Sequence, residues 1–230
     1  MNIFLLGDVP NDLVSFTFFI GTMAMMAASV FFFLSLDAGG GKWRTSMLVS
    51  GLITFIAAVH YYYMRDANVS GADVTFFRYV DWILTVPLMC VEFYLILAKA
   101  GATKKLMWQL IGLSTVMLVA GYIGETGDSP VLYGTISGIA YFVMVGMLWL
   151  GSPKALAEKA GGSVLEAYNA LCWFILVGWS IYPIGYMIGT DGWYDFVDAI
   201  PLDMDVVYNI GDAINKIGFG LVIYNLAVSK

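Results

Sequence analysis

The chain has 230 residues, of which 60% are hydrophobic and 12% are charged, and its mean hydropathy is +0.80. These values exclude an ordinary soluble domain and indicate a helical membrane protein with several spans. The formal net charge of −6, in a sequence with no basic run, argues against nucleic-acid binding.

The sequence shows none of the common enzyme or metal signatures. It has no zinc-ligand spacing, no phosphate-binding loop and no nucleophile elbow, so we expect neither an enzyme nor a metal site. Cys90 and Cys172 both lie in apolar stretches, which favours small buried side chains over a disulfide. The first residues have no basic segment before a long apolar run, so no cleavable signal peptide is expected.

Seven segments are long and apolar enough to cross a bilayer as helices. They cover Leu13–Leu36, Ser46–Met64, Val74–Ala98, Leu106–Gly124, Val131–Leu150, Leu165–Ile188 and Val206–Val228. We therefore predict an all-α membrane protein, a seven-transmembrane-helix bundle that forms a single domain over residues 1–230.

Basic residues concentrate on one side of the predicted bundle. The connections after spans one, three and five, with the C-terminal end, carry Lys42, Arg44, Lys99, Lys104, Lys105, Lys154, Lys159 and Lys230. On the other side Arg65 is the one basic residue outside the spans, and the acidic residues are Asp8, Asp66, Asp73, Glu125, Asp128, Asp191, Asp195, Asp198 and Asp203. Because Lys and Arg remain in the cytoplasm, we predict an external N-terminus and a cytoplasmic C-terminus.

Span three carries an unusual row of ionisable side chains. Arg78, Asp81, Thr85 and Glu92 share one helix face, and Glu92 lies three turns, about 16 Å, beyond Asp81. An ion pair could account for Arg78 and Asp81, but no basic residue accompanies Glu92 in the span. A neutral acid at one end and an ionised acid at the other are typical of a proton path. We also expect Pro87 to kink the helix.

Spans two and six each leave two interpretations open. His60, the single histidine, is either a structural residue near a helix end or the partner of a carboxylate on a neighbouring helix. Trp179 and Tyr182, followed by Pro183, either pack within the core or form the wall of a site for a flat apolar ligand.

Span seven contains a lysine near its middle. Lys216 follows Asp212 by one helical turn, so the two can pair on one face. An ammonium at that depth costs about 3 kcal/mol. It forms either a structural ion pair or a desolvated nucleophile that condenses with a carbonyl compound.

Three motifs together resemble helices three, six and seven of the microbial rhodopsins, in particular the proteorhodopsin and xanthorhodopsin branch of light-driven proton pumps. They are Arg78–Pro87, Trp179–Pro183 and Asp212–Lys216, and the resemblance extends over essentially the whole chain. It implies a light-driven ion transporter in the bacterial plasma membrane that binds all-trans retinal. It also implies a homo-oligomer, a pentamer or hexamer.

The resemblance assigns a role to each unusual residue of the spans. Lys216 corresponds to the retinal attachment site, a protonated Schiff base, and Asp81 to the counterion and proton acceptor. Asp212 corresponds to the second counterion and Glu92 to the cytoplasmic proton donor. The remaining positions are Arg78 in the outer half-channel, His60 as partner of the acceptor, Thr85 beside the acceptor, and Trp82, Met89, Met117, Trp179, Tyr182 and Pro183 around the retinal.

Two positions depart from or refine the family pattern. The paired outer glutamates of bacteriorhodopsin are absent between spans six and seven, where the chain offers Asp191, Asp195, Asp198, Asp203 and Asp205, so the release group is open. Met89 stands where this branch tunes colour, and an apolar residue there resembles the green-absorbing members.

Gly134 in span five has two interpretations. With Gly138 it forms a pair of small residues four apart, which suits close helix packing. In xanthorhodopsin-like proteins a glycine at the matching position leaves a window in which a carotenoid antenna binds.

Other functions of a seven-helix chain fit less well. Sodium and chloride pumps of the superfamily would carry other residues in place of Asp81, Thr85 and Glu92. A sensory photoreceptor that signals to a transducer is the main alternative, although such proteins usually lack a carboxylic donor like Glu92. A retinal-free transporter would leave Lys216 and the aromatic residues around it without a role.

Overall fold

A computed structural model describes residues 12–190 and 203–229. Within these ranges every regular element is helical, as expected for a backbone that must satisfy its own hydrogen bonds in lipid. The helices are α1 (Leu13–Leu34), α2 (Arg44–Val69), α3 (Thr75–Leu97), α4 (Lys104–Thr126), α5 (Pro130–Leu150), α6 (Ser152–Ala160), α7 (Gly162–Trp173), α8 (Ile181–Ile188) and α9 (Met204–Val228). Short 3-10 turns cover Ala38–Gly41 and Ala98–Ala100, and one turn of π-helix covers Phe174–Gly178.

The prediction of seven spans is confirmed. Helices α1 to α4 and α9 each supply one span, with Ala98–Ala100 extending the third. The fifth span covers Pro130–Ala160 and joins α5 to α6, and the sixth covers Gly162–Ile188 and joins α7, the π turn and α8. α3 runs through Pro87 without interruption, so the predicted kink stays a prediction.

One local prediction was wrong, and one local feature was not predicted. The segment after Leu150 was treated as a connection, but most of it is α6, which has a proline in its first turn. Lys154 of α6 donates a hydrogen bond to Asn169 Oδ1 of α7 over 2.8 Å. The π turn at Phe174–Gly178 interrupts the sixth span just before Trp179, and the sequence analysis did not predict this break.

Polar side chains and glycines mark the helix ends. Asp12 caps α1 by accepting a hydrogen bond from the Ser15 backbone N–H over 2.7 Å, and this bond lowers the pKa of the Asp12 carboxyl. After α3 the chain turns at Gly101, whose φ of 113° favours glycine.

The helices form a closed bundle. Sequence neighbours pack against each other from α1 to α5, and α9 closes the bundle by contacting α1, α2, α7 and α8. We call one end the acidic end, where α3 and α9 begin, and the other the basic end, where α2 and α4 begin. Asp8, Asp191, Asp195, Asp198 and Lys230 lie outside the described residues.

Candidate functional site

The centre of the bundle holds a buried cation between two carboxylates. Lys216 Nζ of α9 lies 2.5 Å from Asp81 Oδ2 of α3 and 2.6 Å from Asp212 Oδ2, one turn earlier on α9. The side chains of the three residues are at most 2% exposed. The predicted pairing of Lys216 with Asp212 is therefore confirmed, and Asp81 joins it from another helix. Such a group is tolerable in an apolar interior because the charges neutralise each other.

The two carboxylates have different hydrogen-bond partners. Asp212 Oδ1 accepts a hydrogen bond from the Tyr182 hydroxyl over 2.8 Å. Asp81 Oδ1 is buried and has no hydrogen-bond partner among the described residues. The Thr85 hydroxyl donates to the backbone carbonyl of Asp81 over 2.9 Å, so it does not hold the carboxylate. Asp81 is thus the less stabilised anion of the pair.

Arg78 lies one turn nearer the acidic end and is also buried. Its guanidinium pairs with Asp205 Oδ1 at 2.9 Å and lies 5.0 Å from the centre of the Tyr208 ring. The pairing of Arg78 with Asp81 that the sequence suggested is therefore not the one that forms. α9 supplies the partner instead, from its first turn at the acidic end.

Glu92 is buried towards the basic end of α3. It is fully inaccessible, and neither of its carboxyl oxygens has a hydrogen-bond partner in the described part of the chain. The Ser46 hydroxyl of α2 is close to the carboxyl, but the two groups do not reach hydrogen-bond geometry. Without a cation or a donor, a carboxyl group in this position is far more stable as the neutral acid.

His60 lies near the acceptor without a direct hydrogen bond to it. His60 Nδ1 is 2.8 Å from the Ile56 backbone carbonyl one turn earlier in α2. The imidazole is close enough to Asp81 to affect the charge of its carboxyl. No hydrogen bond joins the two side chains among the described contacts, so the role of His60 as partner of the acceptor stays a prediction.

An apolar cavity of about 630 Å³ lies beside the buried charges. It is walled by α3, α4, α5, the π turn with the residues that follow it, α8 and α9. Its lining includes Trp82, Met117, Gly134, Trp179, Tyr182 and Pro183, all predicted from the sequence to contact a ligand. Tyr182 both lines the cavity and bonds to Asp212, so the cavity and the charges belong to one site. Met89 is buried but does not belong to the described lining.

Gly134 and Gly138 both line this cavity. Both residues line it together with Thr135 and Phe142 of the same helix. A Cβ built on Gly138 would meet no atom within 4 Å. The interpretation of this pair as a close helix contact is therefore not supported at Gly138 in the described chain.

Three features of the site were not predicted from the sequence. They are the hydroxyl bond of Tyr182 to Asp212, the pairing of Arg78 with Asp205, and a hydrogen bond from Asn215 Nδ2 to the Gly178 carbonyl over 2.9 Å. The available signal was the concentration of polar residues in span seven, where Asn209, Asp212, Asn215 and Lys216 occupy an otherwise apolar segment.

Comparison with known proteins decides the family. Residues 12–230 match the family of bacteriorhodopsin-like proteins. The chain is a member of the bacteriorhodopsin-like family. It is 45% identical to the blue-light absorbing proteorhodopsin of Gamma-proteobacterium Hot 75m4, over 97% of this chain and 90% of that protein. The green-light absorbing proteorhodopsin of Gamma-proteobacterium EBAC31A08 is 43% identical over the same shares.

Solved structures of this family share the fold. The blue light-absorbing proteorhodopsin from Med12 superposes with a TM-score of 0.77 at 37% identity, over 94% of this chain and 98% of that one. Xanthorhodopsin, described as a light-driven ion pump with dual chromophore, superposes with a TM-score of 0.80 at 30% identity, over 94% and 92%. With its seven spans and these relatives, this bacteriorhodopsin-like chain is a multi-pass protein of the bacterial plasma membrane.

Proposed function

We propose that this protein is a light-driven pump that moves protons from the cytoplasm to the outside. The observation that carries the proposal is the buried cluster of Lys216 with Asp81 and Asp212, combined with a solitary buried acid, Glu92, on the same helix as Asp81. The proteorhodopsin relatives and the pump named among the solved structures support the same class of function.

We propose that Lys216 binds all-trans retinal as a protonated Schiff base. The residues fit this group, because Tyr182 lines an apolar cavity with aromatic walls and also bonds to Asp212, the partner of a buried amine whose positive charge is already compensated. When bound, retinal supplies light absorption and a photoisomerisation that changes the direction in which the Lys216 nitrogen presents its proton. Trp82 and Trp179 line the cavity and restrict the space in which that change occurs.

Asp81 serves as the proton acceptor in this proposal. It lies 2.5 Å from the Lys216 nitrogen, within the distance for direct proton transfer. Asp212 lies equally near, but the Tyr182 hydroxyl stabilises its anion, so Asp81 takes up the proton more readily. Asp212 then remains charged and keeps Lys216 in its position.

Glu92 serves as the donor that returns a proton to Lys216. Its buried carboxyl has no cation nearby to favour ionisation and therefore holds a proton. It can give up this proton after the Lys216 nitrogen has lost its own. Because Glu92 lies towards the basic end and Asp81 towards the acidic end, uptake and release occur on opposite sides of the membrane.

The direction of pumping follows from the orientation of the bundle. We place the basic end in the cytoplasm, since it carries most of the Lys and Arg residues outside the spans. The N-terminus is then outside and the C-terminus inside. Transfer from Glu92 through Lys216 to Asp81 moves protons out of the cell.

We also propose that a carotenoid can bind at Gly134. The cavity reaches Gly134 and Gly138, which contribute no side chains to its wall, and a Cβ built on Gly138 would meet no atom within 4 Å. A polyene could cover the apolar surface exposed there. Adding a hydroxylated carotenoid should introduce a vibronic band into the excitation spectrum for pumping, and Gly134→Phe should abolish it. Absence of binding to the unsubstituted protein would contradict this assignment.

The oligomeric state is a separate proposal. Many large apolar side chains of α1 and α5 point outward, towards lipid or other copies of the chain. We propose a pentamer or hexamer, which native mass spectrometry in mild detergent would distinguish from a monomer.

Light-induced pH change tests the central proposal. Cells that contain the protein and retinal should acidify the medium on illumination, and a protonophore should abolish the change. A coloured protein without any pH change would instead support a sensory photoreceptor. A protein that remains colourless with retinal would contradict both functions.

A further inference from the structure

A carboxyl group at the outer end of the bundle forms a hydrogen bond with a side chain that lines the central cavity. Glu125, near the end of α4, accepts a hydrogen bond from the Tyr79 hydroxyl of α3 over 2.8 Å. Both residues line the central cavity, and Glu125 is also exposed at its rim. The Tyr79 ring packs edge-on against Trp82, with 5.1 Å between the ring centres. Glu125 therefore has contact with the outer surface and with the wall of the site.

Polar groups continue from this pair towards the buried charges. Tyr208 lines the same cavity, lies under the Arg78 guanidinium and reaches the Tyr182 carbonyl with its hydroxyl at 3.4 Å. Tyr182 in turn donates to Asp212, the partner of Lys216. The positive charge of Arg78 is close enough to affect Glu125 as well as Asp205. One polar region thus joins the centre of the bundle to its outer rim.

Other acids at this end are engaged differently. Asp73 and Asp203 accept hydrogen bonds from backbone N–H groups at the starts of α3 and α9, which is a structural role. Asp205 is paired with Arg78 at 2.9 Å. Glu125 differs from these three, because its hydrogen-bond donor is a phenol that lines the cavity.

We propose that Glu125 is the exit group for the pumped proton and that Tyr79 positions it. The inference rests on the proposed function. The proton that leaves the Asp81 carboxyl is taken up by the Glu125 carboxylate and then passes to the outer water. Tyr79 keeps its own proton and holds the carboxylate towards the inside. The buried positive charge of Arg78, close enough to act on Glu125, opposes the return of a proton.

Flash photolysis with a pH-sensitive dye outside the membrane tests the proposal. In Glu125→Gln, release of the proton to the medium should be delayed about tenfold or more, because the amide cannot take up the proton. The rate of Lys216 deprotonation, measured by visible absorbance, should not change. Tyr79→Phe should delay release by a smaller factor, and Glu125→Asp should restore part of the original rate.

Asp128→Asn provides a matched control, since Asp128 is an exposed acid three residues after Glu125, in the connection that follows α4. It should leave the timing of release unchanged. An unchanged time of proton release in both Glu125→Gln and Tyr79→Phe would overturn the inference. A changed rate of Lys216 deprotonation in Glu125→Gln would overturn it too, because Glu125 would then act on the acceptor. Failure of the unsubstituted protein to release protons at all would instead refute the proposed function.

Discussion

Asp81 and Glu92 are two carboxylic acids on one helix with opposite surroundings. Both are completely buried in α3. Asp81 has a lysine nitrogen at 2.5 Å, whereas Glu92 has neither a cation nor a hydrogen-bond partner in the described chain. The region around Asp81 continues in polar groups to the acidic end, while Glu92 lies next to Phe93 in the apolar core.

These two residues indicate that burial alone does not set the protonation state of a carboxyl group in this protein. Desolvation disfavours the anion at both positions, and only the cation near Asp81 compensates for it. The same side-chain chemistry can therefore accept a proton at one position and donate one at the other. Substitution can alter the surroundings of Asp81 and Glu92 one at a time.

Removal of the cation should have the largest effect. In Lys216→Ala, Asp81 loses its compensating charge and should become a neutral acid like Glu92. Visible colour should be lost completely in the absence of an added amine, and infrared spectroscopy should show a new protonated carboxyl band. Hydroxylamine bleaching and peptide mapping of the unsubstituted protein should locate the retinal adduct at Lys216. Colour that survives in Lys216→Ala would contradict the attachment site.

Removal of the acceptor should abolish pumping while leaving the pigment intact. In Asp81→Asn, proton transport should fall by about 100-fold or more, since the amide cannot take up the proton. Absorption of the unsubstituted protein should shift to the red when Asp81 is protonated, because neutralising a counterion lowers the excitation energy of a cationic polyene. Absorption of Asp81→Asn should already lie to the red and should not change with pH. A variant that still pumps and retains the pH-dependent colour would show that Asp81 is not the acceptor.

Removal of the donor should slow the cycle rather than stop it. In Glu92→Gln, reprotonation of Lys216 should slow by about 100-fold, and azide or another small acid should restore the rate. The infrared band of the protonated Glu92 carboxyl should be missing. An unchanged photocycle would favour a sensory function or another donor.

Removal of the Ser46 hydroxyl should have the smallest effect. Since Ser46 is close to Glu92 without forming a regular hydrogen bond, Ser46→Ala should change the rate of reprotonation by about threefold at most. Thr85→Val is the matched substitution near Asp81. It removes a hydroxyl that donates a hydrogen bond to the backbone carbonyl of Asp81. A change of 100-fold in Ser46→Ala would mean that Glu92 depends on this hydroxyl for its protonation.

The sequence was sufficient to predict the spans and the central charges. Apolar length identifies a membrane helix, and the cost of a buried lysine identifies a residue that needs a partner and a role. The spacing of Asp212 and Lys216 within one helix fixed their pairing, which the structure confirms. The family resemblance then added the roles of these residues, and those roles remain proposals.

Contacts between helices were less predictable. The partner of Arg78 depends on how far α9 extends beside α3, and the spacing within span three alone favoured Asp81. The bond from Tyr182 to Asp212 depends on the rotation of span six, which the π turn changes. A residue pattern within one helix specifies a face, but it does not specify which side chains of another helix lie opposite that face.

The π turn at Phe174–Gly178 couples two helices mechanically. Its irregular geometry presents the Gly178 carbonyl to Asn215, and the approach is so close that a Cβ at Gly178 would lie 2.0 Å from Asn215 Oδ1. Asn215 directly precedes Lys216, so a twist of α9 at the lysine cannot leave this bond undisturbed. A displacement that begins at Lys216 is therefore transmitted to the backbone of span six. It reaches that span at the π turn, where the helix is least regular.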